Sequence, residues 1–405
     1  VLERKKSLKL WTIALALASF VLTIVGTFMT RSGVFNSVHA FTQSDIGPTF
    51  LVFIAVLLVF SVVLLAVRGH LLVAESQLGT VLSREGSILL NNLVFAAMTF
   101  VVLLGTLYPL ITEGLFNKKI TVGEPYFNQM SLPLGVAMLF LMGVGPMLPW
   151  GAADPKVLKT QAVIPTVAGV AVAALCFLLG LRGFLPLLTF GVATFVTVVT
   201  CRELFLPAKV RMEEQKEGLV TAFVRSATRA RRRFGGYVVH LGIVAIVVAI
   251  AASSAYKVHT TGTLAPGQAM KVGDYSVRFD GLASGKEPHR EYVAANLTVI
   301  SPSGTEKKFH GTDAPRMNYY ERSTDPVGSP TVNERVVLDV YVSLLAFDQK
   351  TGTASFNMWV FPLVGWIWYA IPFLVLGTLI ALWPQRKTRV ATAEAPAAAA
   401  ASGAP

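Results

Sequence analysis

Eight runs of about twenty apolar residues dominate the chain, at 8–29, 49–67, 87–110, 132–150, 162–181, 184–205, 236–254 and 359–383. A helix needs about 20 such residues to cross a bilayer core of roughly 30 Å. No water reaches that core, so each crossing segment must pair its backbone N–H and C=O groups internally. The runs therefore predict a polytopic all-α membrane protein of about eight transmembrane helices. Only 14% of residues are charged, against roughly a quarter in a soluble domain. That excludes a soluble enzyme, a disordered tail or a nucleic-acid-binding domain as a description of the whole chain.

Residues 256–356 form a polar stretch between the last two runs, long enough for a small core of their own. Within it, 275–279, 292–300 and 336–347 alternate or concentrate β-branched and aromatic residues, and Gly, Pro and Asp clusters separate them. The expected division is a seven-helix bundle over 1–255, a small β-rich periplasmic domain over 256–356, a last transmembrane helix over 357–384 and a disordered cytoplasmic tail over 385–405, rich in Ala and Pro.

Eight crossings place both termini on one side, and Lys and Arg decide which. With the termini inside, the inner segments hold 20 basic residues and the short outer loops hold 4: Arg31, Lys118, Lys119 and Arg182. The other 11 of the 35 lie in the long polar stretch, which the rule exempts. The net charge of +12 is thus mostly a topology signal that puts both termini on the inner, cytoplasmic side. Its partner is anionic membrane lipid, and the Arg229–Arg233 run is not read as a nucleic-acid patch.

His240 is the sharpest anomaly, a few residues inside the seventh run and flanked by Gly235, Gly236 and Gly242. An ionisable side chain within a span is costly and points to function, and neutral imidazole ligates haem iron and other metals. The glycines lower local bulk, so that a flat macrocycle or a second helix can approach. A histidine hydrogen-bonded to a neighbouring helix explains the residue equally well. His39 sits in the first outer loop, where a solvated ring is the default. Arg31, in the same loop, suits a carboxylate such as a haem propionate or a snorkelling residue at the end of a span. His70, His259, His289 and His310 read as exposed, and no two of the six histidines have metal-ligand spacing.

Cys176 and Cys201 lie in apolar runs, and the chain has no CxxC or CxxCH, hence no paired-thiol site. Arg84 and Glu85 open the third run as a pair that can cap and neutralise itself. No Ser/His/Asp set and no phosphate-binding Gly-rich loop is present. Two other readings remain at this level. One is a transporter or permease, with Pro109, Pro133 and Pro146 breaking its spans. The other is a non-catalytic scaffold that docks partners through the polar domain.

Several strings then stop being generic: Thr30-Arg31-Ser32-Gly33, Ser37-Val38-His39-Ala40-Phe41, Ser83-Arg84-Glu85-Gly86, Gly105-Thr106-Leu107-Tyr108-Pro109, Val122-Gly123-Glu124-Pro125-Tyr126-Phe127-Asn128, Gly143-Val144-Gly145-Pro146, Gly235-Gly236 with His240-Leu241-Gly242, and Pro362-Leu363-Val364-Gly365-Trp366. Together, in this order over most of residues 1–383, they resemble the CcmF-type subunit of the system I cytochrome c haem lyase. A close relative devoted to haem attachment in a nitrite reductase shares them.

The resemblance implies a haem-handling subunit that holds haem at the periplasmic face for thioether attachment to the CxxCH of apocytochrome c. It implies His39 as an axial ligand of that substrate haem, Arg31 as a propionate contact, and His240 as one axial ligand of a resident haem b. The implied partners are a haem chaperone, apocytochrome c, its thiol-handling lyase subunits and membrane lipids. Two features of that family are missing: the Trp-rich WWD signature, which the six tryptophans do not build, and the first histidine of each haem pair. The chain begins with Val1 and has no cleavable signal before its first run. It therefore reads as the C-terminal half or so of such a protein, with the N-terminal half or a split-gene partner completing both haem sites.

Overall fold

The computed structural model describes residues 9–31, 46–72, 80–321 and 325–384. His39 and the tail expected over 385–405 lie outside the described residues. Among the described residues nine α-helices run in chain order: α1 Lys9–Arg31, α2 Ile46–Arg68, α3 Arg84–Phe116, α4 Glu124–Met147, α5 Pro155–Leu178, α6 Phe184–Gln215, α7 Leu219–Arg229, α8 Arg231–Ala255 and α9 Trp366–Leu382. Seven of the described helices, all but α7 and α9, are long and apolar enough to cross a membrane. Helix α9 is apolar but only 17 residues long, about 25 Å at 1.5 Å per residue.

The eighth run is thus corrected: residues 359–362 belong to a strand rather than a helix. Their side chains alternate between the sheet core and its outer face, a period-two pattern that total hydropathy conceals. Elsewhere the helices outrun the apolar stretches. Helix α4 starts eight residues before the expected 132, and α6 continues ten residues past 205. A helix does not end where the membrane does, provided the next residues keep helix propensity. Pro109, Pro133 and Pro146 all lie inside unbroken helices, so the broken spans on which the transporter reading leaned are absent from α3 and α4.

Helix α6 is the hub of the bundle, packing on α4, α5, α7 and α8. Leu139, Ala193, Phe195, Val196, Val199 and Val244 form the layer between α4, α6 and α8. The motif strings prove to be packing joints. Gly105 faces Tyr126 and Phe127, where an added Cβ would come within 2.8 Å of the Phe127 ring. Arg84 and Glu85 each reach across to the end of α4 and the turn after it. Arg84 donates to the Pro146 carbonyl at 3.0 Å and lies over the Trp150 ring, while Glu85 accepts from the Gly151 N–H at 3.2 Å. The cap of α3 is Ser83, which accepts from the Gly86 N–H.

Helix α7 folds back beneath α6 and is fastened by one carboxylate. Arg211 donates from Nε and Nη2 to the two oxygens of Glu217 at 2.9 and 2.8 Å, and Arg225 donates to the same group. The hydrogen bonds from Arg211, supported by Arg225, hold the Glu217 carboxyl below the usual carboxylate range. A depressed carboxyl contributes stability above its unfolded pKa of about 4.3, and that stability is lost as pH falls through the folded value. Amide exchange in 219–229 is accordingly expected to accelerate only in acid below that range. Glu217→Gln should show the faster exchange already at neutral pH, and equal exchange in both forms would remove the clamp from the account.

Among the described residues ten strands follow α8: β1 Val258–Leu264, β2 Ala269–Val272, β3 Tyr275–Glu287, β4 Arg290–Ile300, β5 Glu306–Phe309, β6 Arg316–Tyr320, β7 Val327–Ser329, β8 Thr331–Asn333, β9 Leu338–Asp348 and β10 Thr353–Pro362. One antiparallel sheet has the order β1-β10-β9-β8. The other has the order β2-β3-β4-β6-β7, with β5 on β4. Their inner faces meet in one core, where Phe279 and Phe356 stack edge to face at 5.3 Å. The strands thus run six residues past the expected boundary at 356, directly into the joint with α9.

At that joint Leu363 adopts φ +57° and donates its N–H to Val337 O at 2.7 Å, and Trp366 Nε1 donates to Val336 O at 2.9 Å.

Candidate functional site at His240

Helix α8 presents two unlike faces. Gly235 and Gly242 lie seven residues apart, on one side. There α9 approaches so closely that a Cβ on Gly235 would overlap the Gly377 carbonyl, and one on Gly242 would lie 2.9 Å from Leu374. The close approach that these glycines permit is therefore to a second helix. His240 projects from the other side, about 200° round the axis from Gly242 at 3.6 residues per turn.

His240 is half-buried, and its enclosed Nδ1 has no hydrogen-bond partner among the described residues. A buried polar atom without a partner is uncommon and asks for an explanation. One turn earlier on the same face is Gly236, where an added Cβ would meet nothing within 4 Å. An imidazole with a free ring nitrogen therefore stands beside unfilled space. Those two features fit the axial ligation of a flat macrocycle, which needs an imidazole nitrogen and room for the ring.

The surroundings come from α8 itself, tied to α6 through Glu203. Tyr237 packs edge-on to His240 at 6.0 Å between ring centres. Its hydroxyl accepts from Arg233 Nε at 3.0 Å and donates to Glu203 at 3.3 Å, and Arg233 also pairs with Glu203. This cluster was invisible in sequence because Glu203 is thirty residues from Arg233. The only available signal was that a carboxylate and an Arg run both end apolar stretches on the same side. On the opposite flank Val244 packs into the α4–α6–α8 layer. A cavity of about 370 Å³ lies farther along α8, lined by Asn128, Ser131, Thr189, Val247 and Ser254.

Arg31 is the last residue of α1 and is exposed, where a cation suits the helix C-terminus. Alternating helix directions put it at the sheet-bearing end of the bundle, whereas His240 lies near the other end. The structure does not bring these two residues together. His259 is engaged by Asn357 and Thr261 and stacks on Trp359 at 3.8 Å. His70 Nδ1 lies 3.0 Å from Val67 O, and His289 and His310 are exposed. Among the described residues no cluster of three or more His, Cys, Asp or Glu is placed to hold a metal ion.

No family model matches the chain. Individual relatives do. It is 33% identical over 390 residues to the cytochrome c-type biogenesis protein CycK of Rhizobium meliloti, covering 95% of this chain and 56% of that protein. It is 32% identical to the cytochrome c-type biogenesis protein CcmF of Pseudomonas aeruginosa, covering 96% and 58%. NrfE of Haemophilus influenzae, another cytochrome c-type biogenesis protein, is 23% identical. The solved structure of the cytochrome c haem lyase CcmF superposes with a TM-score of 0.72 at 28% identity, over 94% of this chain and 56% of that one. The chain thus spans a little over half the length of the relatives it matches. Over nearly all of its own length, it is a homologue of the CcmF and CycK cytochrome c-type biogenesis proteins.

Proposed function

We propose that this chain is the haem-handling portion of a cytochrome c haem lyase in a bacterial inner membrane. The observation that carries the reading is the half-buried His240 imidazole, its enclosed Nδ1 without a partner among the described residues and Gly236 open one turn away, in a homologue of CcmF. His240 would hold a resident haem b through its imidazole, with the remaining portion of the lyase completing the site. A haem bound there supplies one-electron chemistry. The chain's own contribution is positional: Tyr237, which is hydrogen-bonded to Arg233 and to Glu203 of α6, packs edge-on against the ring.

At the periplasmic face, His39 holds the substrate haem for thioether attachment to the CxxCH of apocytochrome c, and Arg31 meets a propionate. The charge distribution puts both termini in the cytoplasm and the β-rich domain in the periplasm. Partners in this reading are the remaining portion of the lyase, the haem chaperone, apocytochrome c and its thiol-handling subunits.

The test is spectroscopic, on membranes holding the chain together with the portion that completes it. His240→Ala is expected to remove the resident haem b absorption while the protein stays inserted. His39→Ala should remove captured substrate haem and leave the resident signal intact. Full haem b in His240→Ala would overturn the ligand assignment, and equal loss of both haems in either variant would contradict two separate sites.

A further inference from the structure

Helix α7 is an eleven-residue amphipathic segment, and half of its apolar surface has no partner. Phe223 is held between Phe205, at 5.5 Å, and Phe234, at 5.0 Å. Phe205 closes the apolar run of α6, and Phe234 is the first apolar residue of α8 after the arginines. The middle of α7 therefore sits at the depth where both flanking spans pass from apolar to charged. Ala222 and Ser226 are buried against the bundle. Leu219, Val220 and Val224 point away from it and are 57%, 75% and 53% exposed.

The remaining side of the helix carries Thr221, Arg225, Thr228 and Arg229, all exposed. Lys209 and Arg232 flank it from the neighbouring helices and are also exposed. A short helix with an exposed apolar stripe, a basic face and a fixed position at the boundary matches a bilayer surface. The apolar side chains enter the headgroup–acyl boundary, and the cations meet anionic headgroups.

We infer that α7 is an in-plane membrane anchor that binds the anionic inner leaflet, seating Leu219, Val220 and Val224 in lipid. The acidic residues nearest this face do not oppose the assignment. Glu217 is consumed by Arg211 and Arg225, Glu213 pairs with Lys209, and the exposed Glu214 is outnumbered by Lys216, Arg229 and Arg232. The anchor acts between α6 and α8, the two helices tied together beside His240, and so fixes their depth from the cytoplasmic side.

The experiment places an environment-sensitive dye on Val220→Cys, with Cys176→Ala and Cys201→Ala, in lipid nanodiscs. Emission is expected to shift to the blue, and brominated acyl chains should quench it, more strongly when phosphatidylglycerol is present than in phosphatidylcholine alone. A dye on Thr221→Cys should stay in water. Arg229→Gln should lower the docked-to-undocked ratio about fivefold in phosphatidylglycerol, the factor expected for one basic residue at an anionic surface. Arg229 lies outside the Glu217 clamp, so this variant leaves the helix in place. A dye at 220 that reports water in both lipids would overturn the anchor. So would one shielded only on adding a cytoplasmic protein, which would make the face a protein interface.

Discussion

Gly235→Leu is expected to separate α9 from α8 and to lower the thermal midpoint of the detergent-solubilised chain by more than any other change in the bundle. A Cβ at this position overlaps the Gly377 carbonyl and lies 2.6 Å from the Ala381 N–H nitrogen. Both are backbone atoms, which cannot rotate aside. Ordinary overpacking costs about 1–3 kcal/mol because side chains absorb part of it, and here that relief is missing. Gly236→Leu is the control, since its Cβ meets nothing within 4 Å. That variant should melt like the parent while blocking the space beside His240. Equal losses of stability in the two variants would mean that the helix seam is not where the packing energy lies.

The second large effect belongs to the sheet pair. Phe356→Ala removes a fully buried ring from the centre of its core, together with its edge-to-face partner contact to Phe279. A deletion of that size costs about 3–5 kcal/mol, a large share of what holds any small domain together. Limited proteolysis within 258–362 should become rapid while the helices stay resistant. The nearly volume-conserving Met358→Leu should cost under about 1.5 kcal/mol and leave the region protected. If Phe356→Ala resisted proteolysis as well as Met358→Leu does, the shared core would not be what orders the ten strands.

The helices were legible because bilayer thickness sets a length that an apolar count can measure. Seven of the eight expected runs emerged as long apolar helices. The eighth misled at its start, since Trp359, Val360 and Phe361 are as hydrophobic in a strand as in a span. Only Val360 faces the core, whereas Trp359 and Phe361 stack on each other at 5.7 Å on the outer face. Three strands were readable from β-branched clustering. Short ones such as β7 and β8, three residues each, carry too little pattern to register.

His240 was legible by residue type alone, because a histidine in a span is rare. Which side of α8 it occupied was not. The glycines beside it admitted either a macrocycle or a helix, and the fold divides them: Gly235 and Gly242 receive α9, and Gly236 stays open. Glu203 could not be linked to Arg233 and Tyr237, which stand one turn apart on α8, without knowing that α6 and α8 run side by side. His39 rests on the motif string in which it stands.

The glycine seam and the strand pair share one antiparallel path. Gly235 lies opposite Gly377, Gly242 meets Ala370, Val258 pairs with Val360 and Leu264 with Ala354. Alignment of the two chain segments is thus dictated twice, once by backbone contact between helices and again by the hydrogen-bonded ladder. Adding or removing a single residue near 256–257 or 363–365 would set the two alignments against each other. It would either slide a carbonyl out of its glycine notch or turn Phe356 and Met358 inside out, so the linkers here have as little tolerance for length as the elements they join.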